Sequence, residues 1–201
     1  MTQSQPEYDR QASANHWYPE AIFGLCYEYM RPGQRLLDVG TGTGLAAQPF
    51  ARAGVQVYGF DAAAEMLALC AAKGIMADLK QHDLCALPWP YEAGWFDWVI
   101  ACGVLHFVAD LEPVFHEVDR LLRPDGVFAF TTKTPPVSSG GLPQLPFVEE
   151  VIQGTTLYLH HDAYVQTLFA GHRLTCAKQM RLLITTGRGS DDVFSVYVAT
   201  R

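Results

Sequence analysis

The sequence predicts an α/β fold: a doubly wound, mostly parallel seven-stranded sheet, helices on both faces, and an antiparallel C-terminal hairpin. Three observations carry this. Apolar runs rich in Val, Ile, Leu and Phe alternate with helix-forming stretches between residues 35 and 133, the pattern of parallel strands joined by crossover helices. The run "FDWVIAC" at 96–102 is almost wholly apolar, as a central strand covered on both faces requires. The last third breaks the alternation and closes with two strand-like runs joined through "GRGSD". A connection that short makes them an antiparallel pair.

Taken in order, "RLLDV" (35–39) reads as a buried strand announced by the turn Pro32-Gly33. Residues 44–53 read as a helix and "VQVYGF" (55–60) as the second strand. "AAEMLALCAAK" (63–73) is a strong helix former closed by Gly74, and a third strand follows at about 77–82. After the strand at 96–102, "DLEPVFHEVDRLL" (110–122) is helical, with Val114, Val118, Leu121 and Leu122 on one face. Arg123-Pro124-Asp125-Gly126 then turns the chain into the strand "VFAFTTK" (127–133). Residues 134–146 form a loop rich in Pro, Gly and Ser. A helix runs from Asp162 to Ala170 with Gly171 as its stop, and the closing strands occupy 173–186 and 192–201. No repeat or domain boundary interrupts this order, so residues 1–201 read as a single domain.

Composition narrows the function. A chain of 201 residues, 49% apolar and 17% charged, has material for one substantial core. The net charge is −7, and no Lys or Arg occurs between Lys80 and Arg120 or between Lys133 and Arg173. A protein gripping a phosphate backbone needs several basic contacts on one face, so nucleic acid is excluded as a partner. The longest apolar run, 98–109, is too short to span a bilayer, and the polar N-terminus has no signal-peptide core. Five cysteines with no C-x-x-C pair fit reduced thiols in a cytoplasmic protein.

The stretch "RLLDVGTGTGLA" (35–46) places glycine at 40, 42 and 44, more than a turn requires and enough for the backbone to approach a ligand closely. In a doubly wound sheet this loop sits at the carboxyl edge where such folds bind ligands. Gly42-x-Gly44-x-x-Ala47, with Asp61 further on, satisfies the dinucleotide pattern, so a nicotinamide oxidoreductase stays open at this point. Two acids point elsewhere. Asp38 lies where a pyrophosphate would come near and favours a ligand carrying positive charge. Asp83, after the third strand, can accept a hydrogen bond from the exocyclic amine of a purine.

Together "LLDVGTGTG", "VYGFDAAAEML" and "HDLCALPWPYEAGWFDWVIACGVLHFVADLEPVFHEVDRLLRPDGVFAF" resemble class I S-adenosylmethionine-dependent methyltransferases of the small-molecule type, from about Tyr8 to Arg201. The resemblance implies S-adenosylmethionine as cofactor and assigns roles by position. Asp38 and the loop Gly40, Thr41, Gly42, Gly44 would face the aminoacyl part. Asp61, followed by Ala62, would accept both ribose hydroxyls. Met66 would pack near the adenine, and Asp83 with the backbone of Leu84 would hold its amine edge. Ala101 and Cys102 would pass beneath the sulfonium, and Tyr8 resembles the tyrosine of an N-terminal lid helix. The "HD" at 82–83 departs from the family's usual "GD".

His106, just past the fourth strand in "GVLHF", is the candidate catalytic base, with pocket shaping as its other reading. Asp61 also reads as a cap of the following helix. Trp89, Trp95 and Trp98 read as core and rim, and Cys85 and Cys102 as small packing residues. His160-His161-Asp162 reads as a helix start with Asp162 as cap or first-turn acid rather than a metal site. Residues 1–30 would supply lid helices and 134–161 the acceptor side, whose only charges are Glu149 and Glu150. That suits a small neutral or partly apolar acceptor; "AFTTKTPPVSSGGLPQL" faintly resembles malonyl-carrier-protein methyl ester synthases. A monomer or homodimer is expected, away from membranes. A cofactor-binding assembly partner without turnover is the third function class.

Overall fold

The structure, a computed structural model, describes residues 18–136, 145–185 and 191–201. Its main sheet contains β1 (Arg35–Val39), β2 (Gln56–Asp61), β3 (Met76–Gln81), β4 (Phe96–Ala101) and β5 (Leu122–Thr134). β8 (Thr175–Thr185) and β9 (Asp191–Thr200) complete it, and β6 (Phe147–Ile152) and β7 (Thr155–His160) form a separate two-stranded hairpin. The order across the sheet is β3-β2-β1-β4-β5-β9-β8. β1 to β5 are mutually parallel, and β9 runs antiparallel to both β5 and β8. The chain winds outward from β1 in one direction and from β4 in the other, so the crevice between their carboxyl ends is the topological switch point. Register puts Asp38 level with Gly59 on one side and Ile100 on the other.

The α-helices among the described residues are α1 (Tyr18–Cys26), α2 (Ala47–Arg52), α3 (Ala64–Ala71), α4 (Glu112–Leu121) and α5 (Asp162–Gly171) in chain order, the last four at the places the sequence indicates. Alternate side chains of the strands feed two apolar layers. Leu37, Val39, Val99, Phe128 and Phe130 meet α4 and α5 through Val114, Phe115, Val118, Val165 and Phe169. Leu36, Val57, Trp98, Ala129 and Val198 meet α1 and α2 through Ile22, Cys26 and Phe50. α1 thus lies in the body of the fold, and the lid expected over 1–30 would have to come from residues before 18, outside the described ones.

Two features go beyond or differ from the sequence expectation. The predicted turn Arg123–Gly126 lies inside β5 rather than before it. Phe96 pairs with Leu122 but Trp98 with Val127, so four residues loop out of register, with Asp125 at φ 62. The stretch after the expected 134–146 loop, to which the sequence assigned no element, forms the hairpin β6–β7, closed by Gln153 and Gly154 at φ 50 and 81. Positive φ at both central residues is the two-residue turn whose twist matches paired strands. The helix at 162 starts where expected, with Asp162 as its first-turn acid, one of its two readings, and with no side-chain cap. Asp162 instead accepts hydrogen bonds from Ser195 Oγ at 2.9 Å, the Tyr197 hydroxyl and Arg181. Burial opposes this charge, yet the bonds from Arg181, Tyr197 and Ser195 prevail and lower the Asp162 pKa.

The hairpin is fastened to the sheet by a buried lysine. Lys133, near the end of β5, is paired with Glu150 of β6 and, at 3.0 Å, with Asp192 of β9. His160, at the end of β7, is fully buried; its Nε2 stands 3.2 Å from the carbonyl of Ala109.

Candidate cofactor site

The loop after β1 is shaped by close approaches as well as by ligand space. Gly40 has φ 64, and a Cβ there would stand 2.5 Å from Val104 Cγ2, so the β1 and β4 loops interlock at the switch point. Gly44 meets Cys70 of α3 in the same way, at 2.7 Å. Only Gly42, at φ 54, has open space where a side chain would point. The density of glycine in this loop therefore has two causes: packing against the protein at 40 and 44, and an open approach at 42.

Asp38, at the end of β1, is buried and accepts the hydroxyl of Thr41 at 2.7 Å. Burial pushes its carboxyl up to about 7; the Thr41 bond opposes this and the charge of Asp61 adds to it. A carboxylate so placed favours any cation that can reach it. Thr41 turns inward, its amide donating to the carbonyl of Phe60 at 3.0 Å. Asp61, at the end of β2, spans two elements: Oδ2 accepts the Gly42 amide at 2.8 Å and Oδ1 the Ala63 amide at 2.9 Å. The second bond is the local turn expected of a helix-start acid. A carboxylate offers about four lone-pair sites, so hydroxyl donors can still be accepted.

Asp83, after β3, is exposed and accepts the Cys85 amide at 2.9 Å. The loop that carries it is tied to the core through Trp89, whose indole donates to the Leu84 carbonyl at 2.9 Å and whose amide donates to Glu117 of α4 at 2.8 Å. Trp89 and Trp98 are core residues and Trp95 lies at the rim, as expected. Ala101 is buried at the end of β4, Cys102 is half-buried, and the Gly103 amide donates to Thr131 of β5 at 2.8 Å. Burial, with the charges of Asp38 and Glu20, pushes the Cys102 thiol well above its ordinary value.

These loops enclose a pocket of about 240 Å³ lined by Gly40, Asp61, Ala62, Asp83 and Leu84, all expected from the sequence. Its other walls are Phe60, His82, Cys85, Val104, Phe107 and Val108. The apolar ones share a signal, since each stands at or just beyond the carboxyl end of a strand flanking the switch point. Asp38, Thr41, Gly42, Gly44, Met66, Ala101 and Cys102 do not line it. Asp38 and Thr41 lie beneath the glycine loop, and Met66 belongs to α3. Tyr8 lies outside the described residues.

His106 sits in a single 3-10 turn, Leu105–Phe107, and is buried, its ring 4.3 Å from that of Phe107 and 6.0 Å from that of Phe194. The neighbouring Phe107, half exposed, is the residue of this turn that faces the pocket.

A family model for the methyltransferase domain matches residues 37–130, which takes in every strand end around the pocket. Residues 37–130 thus match a methyltransferase domain, and the chain is similar to the class I S-adenosylmethionine-dependent methyltransferases. S-adenosylmethionine is the cofactor of that family. Among curated methyltransferases, the ubiquinone biosynthesis O-methyltransferase of Nitrobacter winogradskyi is 34% identical over 101 residues, covering 50% of this chain and 39% of that protein. The chain thus spans about two fifths of that relative's length. The malonyl-[acyl-carrier protein] O-methyltransferase of Serratia marcescens is 26% identical over 181 residues, covering 88% of this chain and 67% of that protein. In three dimensions, an S-adenosylmethionine-dependent methyltransferase from Methanosarcina mazei matches with a TM-score of 0.71 and 16% identity, over 88% of this chain and 96% of that one. That likeness carries the methyltransferase fold, including the seven-stranded sheet with its antiparallel end.

Proposed function

We propose that the chain binds S-adenosylmethionine at the switch-point crevice and transfers its methyl group to a small, neutral or partly apolar acceptor. The observation that carries this is the succession of acids at the carboxyl ends of β1, β2 and β3: Asp61 and Asp83 line one pocket, and Asp38 is buried at the end of β1 below the Gly40–Gly44 loop. In this reading Asp38, with the open face of Gly42, meets the ammonium and aminoacyl part. Asp61 takes the ribose diol, and Asp83 with the Leu84 backbone takes the adenine amine. The donor set fits: each acid meets a donor, and a buried carboxyl with its pKa near neutrality is satisfied by a cation. A dinucleotide fits poorly, because its pyrophosphate would lie against the charge of Asp38.

Bound S-adenosylmethionine supplies an electrophilic sulfonium methyl with a good leaving group. The chain's residues then have to hold and align, which can supply most of the acceleration. Phe107, Val104 and Val108 exclude water from the pocket, and His106 supports Phe107 from behind, a shaping role rather than that of a base. The acceptor side is assigned to residues 134–161 and the N-terminal lid, within a single domain spanning 1–201. The apolar residues of β6 and β7 support a partly apolar acceptor. Both curated relatives above are named O-methyltransferases, which supports oxygen as the accepting atom. A cytoplasmic monomer or homodimer belongs to the same reading, supported by five free thiols and by the absence, among the described residues, of any helix long and apolar enough to cross a membrane.

Thermal unfolding with added ligand tests the proposal. S-adenosylmethionine or S-adenosylhomocysteine at a hundred times its Kd should stabilise the protein by roughly 2.7 kcal/mol, a rise of about 5–11 °C for a domain of this size. A larger response to NAD would overturn the assignment.

A further inference from the structure

We infer that His82 is a positioning residue for the adenine end of the cofactor, an inference that rests on the cofactor reading above. The family pattern has glycine here, and a histidine in a wall of the pocket needs its own account. Its backbone amide donates to the Asp61 carbonyl at 3.0 Å, so it is fastened to the residue assigned to the ribose. Its Nε2 stands 2.7 Å from the Ala86 carbonyl. A carbonyl only accepts, so Nε2 carries the proton. The ring stands edge-to-face on Phe60, 5.5 Å between centroids, which holds it upright beside the pocket.

The bond closes a compact turn over residues 82–86. Inside it Asp83 Oδ1 accepts the Cys85 amide at 2.9 Å and the Asp83 carbonyl accepts the Ala86 amide at 3.0 Å. One oxygen of Asp83 is thereby committed to the turn, and Oδ2 retains lone pairs for an exocyclic amine. Glycine in this place would leave the Ala86 carbonyl to water and the turn held by Asp83 alone. With His82 the loop is stapled at two points: at Ala86 by the imidazole and at Leu84 by the Trp89 indole. A ligand then meets a turn already ordered, which lowers the entropy lost on binding.

The test uses the full chain with His82→Ala and His82→Gln. The Kd values of S-adenosylhomocysteine and 5′-methylthioadenosine are measured by calorimetry, and amide exchange at Cys85 and Ala86 is measured without ligand. His82→Ala should weaken both ligands by a similar factor, about 2- to 12-fold, the net worth of one hydrogen bond. It should also speed exchange at the two amides. His82→Gln, which keeps an N–H donor, should restore both readings to near those of the parent. Unchanged affinity and exchange in His82→Ala would overturn the inference, as would a glutamine variant no better than alanine. A parent protein that binds neither ligand would instead overturn the cofactor reading, and the exchange comparison would still decide whether the staple exists.

Discussion

Replacing Asp38 by asparagine should stabilise the unligated protein at alkaline pH while weakening its grip on the cofactor. The carboxyl lies 1% exposed, and burial raises its pKa to about 7 from the ordinary 3.8. Between those values the folded state holds a proton that the unfolded chain has released, so stability falls as pH rises through that window. At ~1.36 kcal/mol for each tenfold, the gap sets an upper bound of about 4 kcal/mol on the loss. Asparagine keeps a carbonyl for the Thr41 hydroxyl and cannot ionise. Asp38→Asn should therefore unfold several degrees higher than the parent at pH 8, at about 2–4 °C per kcal/mol. Affinity for S-adenosylhomocysteine should fall by about 10- to 150-fold, the range for a hydrogen bond to a charged group. Binding to the parent at pH 6 should release about 0.9 proton as the ligand's ammonium ionises the carboxyl. Calorimetry in two buffers of different ionisation enthalpy reads this directly. Release near zero in the parent, or equal release in Asp38→Asn, would refute the assignment of Asp38 to the ammonium.

Three further outcomes follow from the geometry. Asp61→Ala should weaken S-adenosylhomocysteine more than Asp83→Ala in calorimetry, and it alone should lower unligated stability appreciably, because Asp61 also holds the Gly42 and Ala63 amides. Gly40→Ala should destabilise by about 1–3 kcal/mol in chemical denaturation, from a residue held at positive φ, plus the clash with Val104. Val104→Ala in the same chain should recover only the clash. His106→Gln should leave S-adenosylhomocysteine affinity within about threefold of the parent, less than one hydrogen bond to a charged group; a large loss would place the imidazole against the cofactor itself.

Most of the proposed cofactor side was legible because its chemistry is local in sequence. Asp38 and Asp61 stand at the ends of β1 and β2 and Asp83 just past β3, and parallel pairing brings the strand ends together whatever the details between. The segment proposed for the acceptor side was less legible for physical reasons. β6 and β7 are partly exposed, so strict apolar alternation is blurred, and their turn uses Gln-Gly rather than the stronger Asn-Gly signal. The excursion at 123–126 looked like an ordinary turn because Pro124, Asp125 and Gly126 have turn chemistry. Only pairing across β4 shows that the strand resumes on both sides of it. His82 read as a mere departure from a pattern, since its partner, the Ala86 carbonyl, is backbone and leaves no mark in the sequence. Lys133 gave no hint of burial, as its partners Glu150 and Asp192 come from distant segments.

The hairpin β6–β7 has its own use to an experimenter. Among the described residues its strands pair with each other and with no strand of the main sheet, and its register is set by its own turn. Residues inserted between Gln153 and Gly154 would lengthen the tip without shifting any pair in the seven-stranded sheet. Because Lys133 clamps the stem near its middle, at Glu150, a fluorophore carried at that tip would ride on the proposed acceptor side while leaving the three acids untouched. Screening for the unknown acceptor could then be done by light, one compound at a time, with no need for turnover.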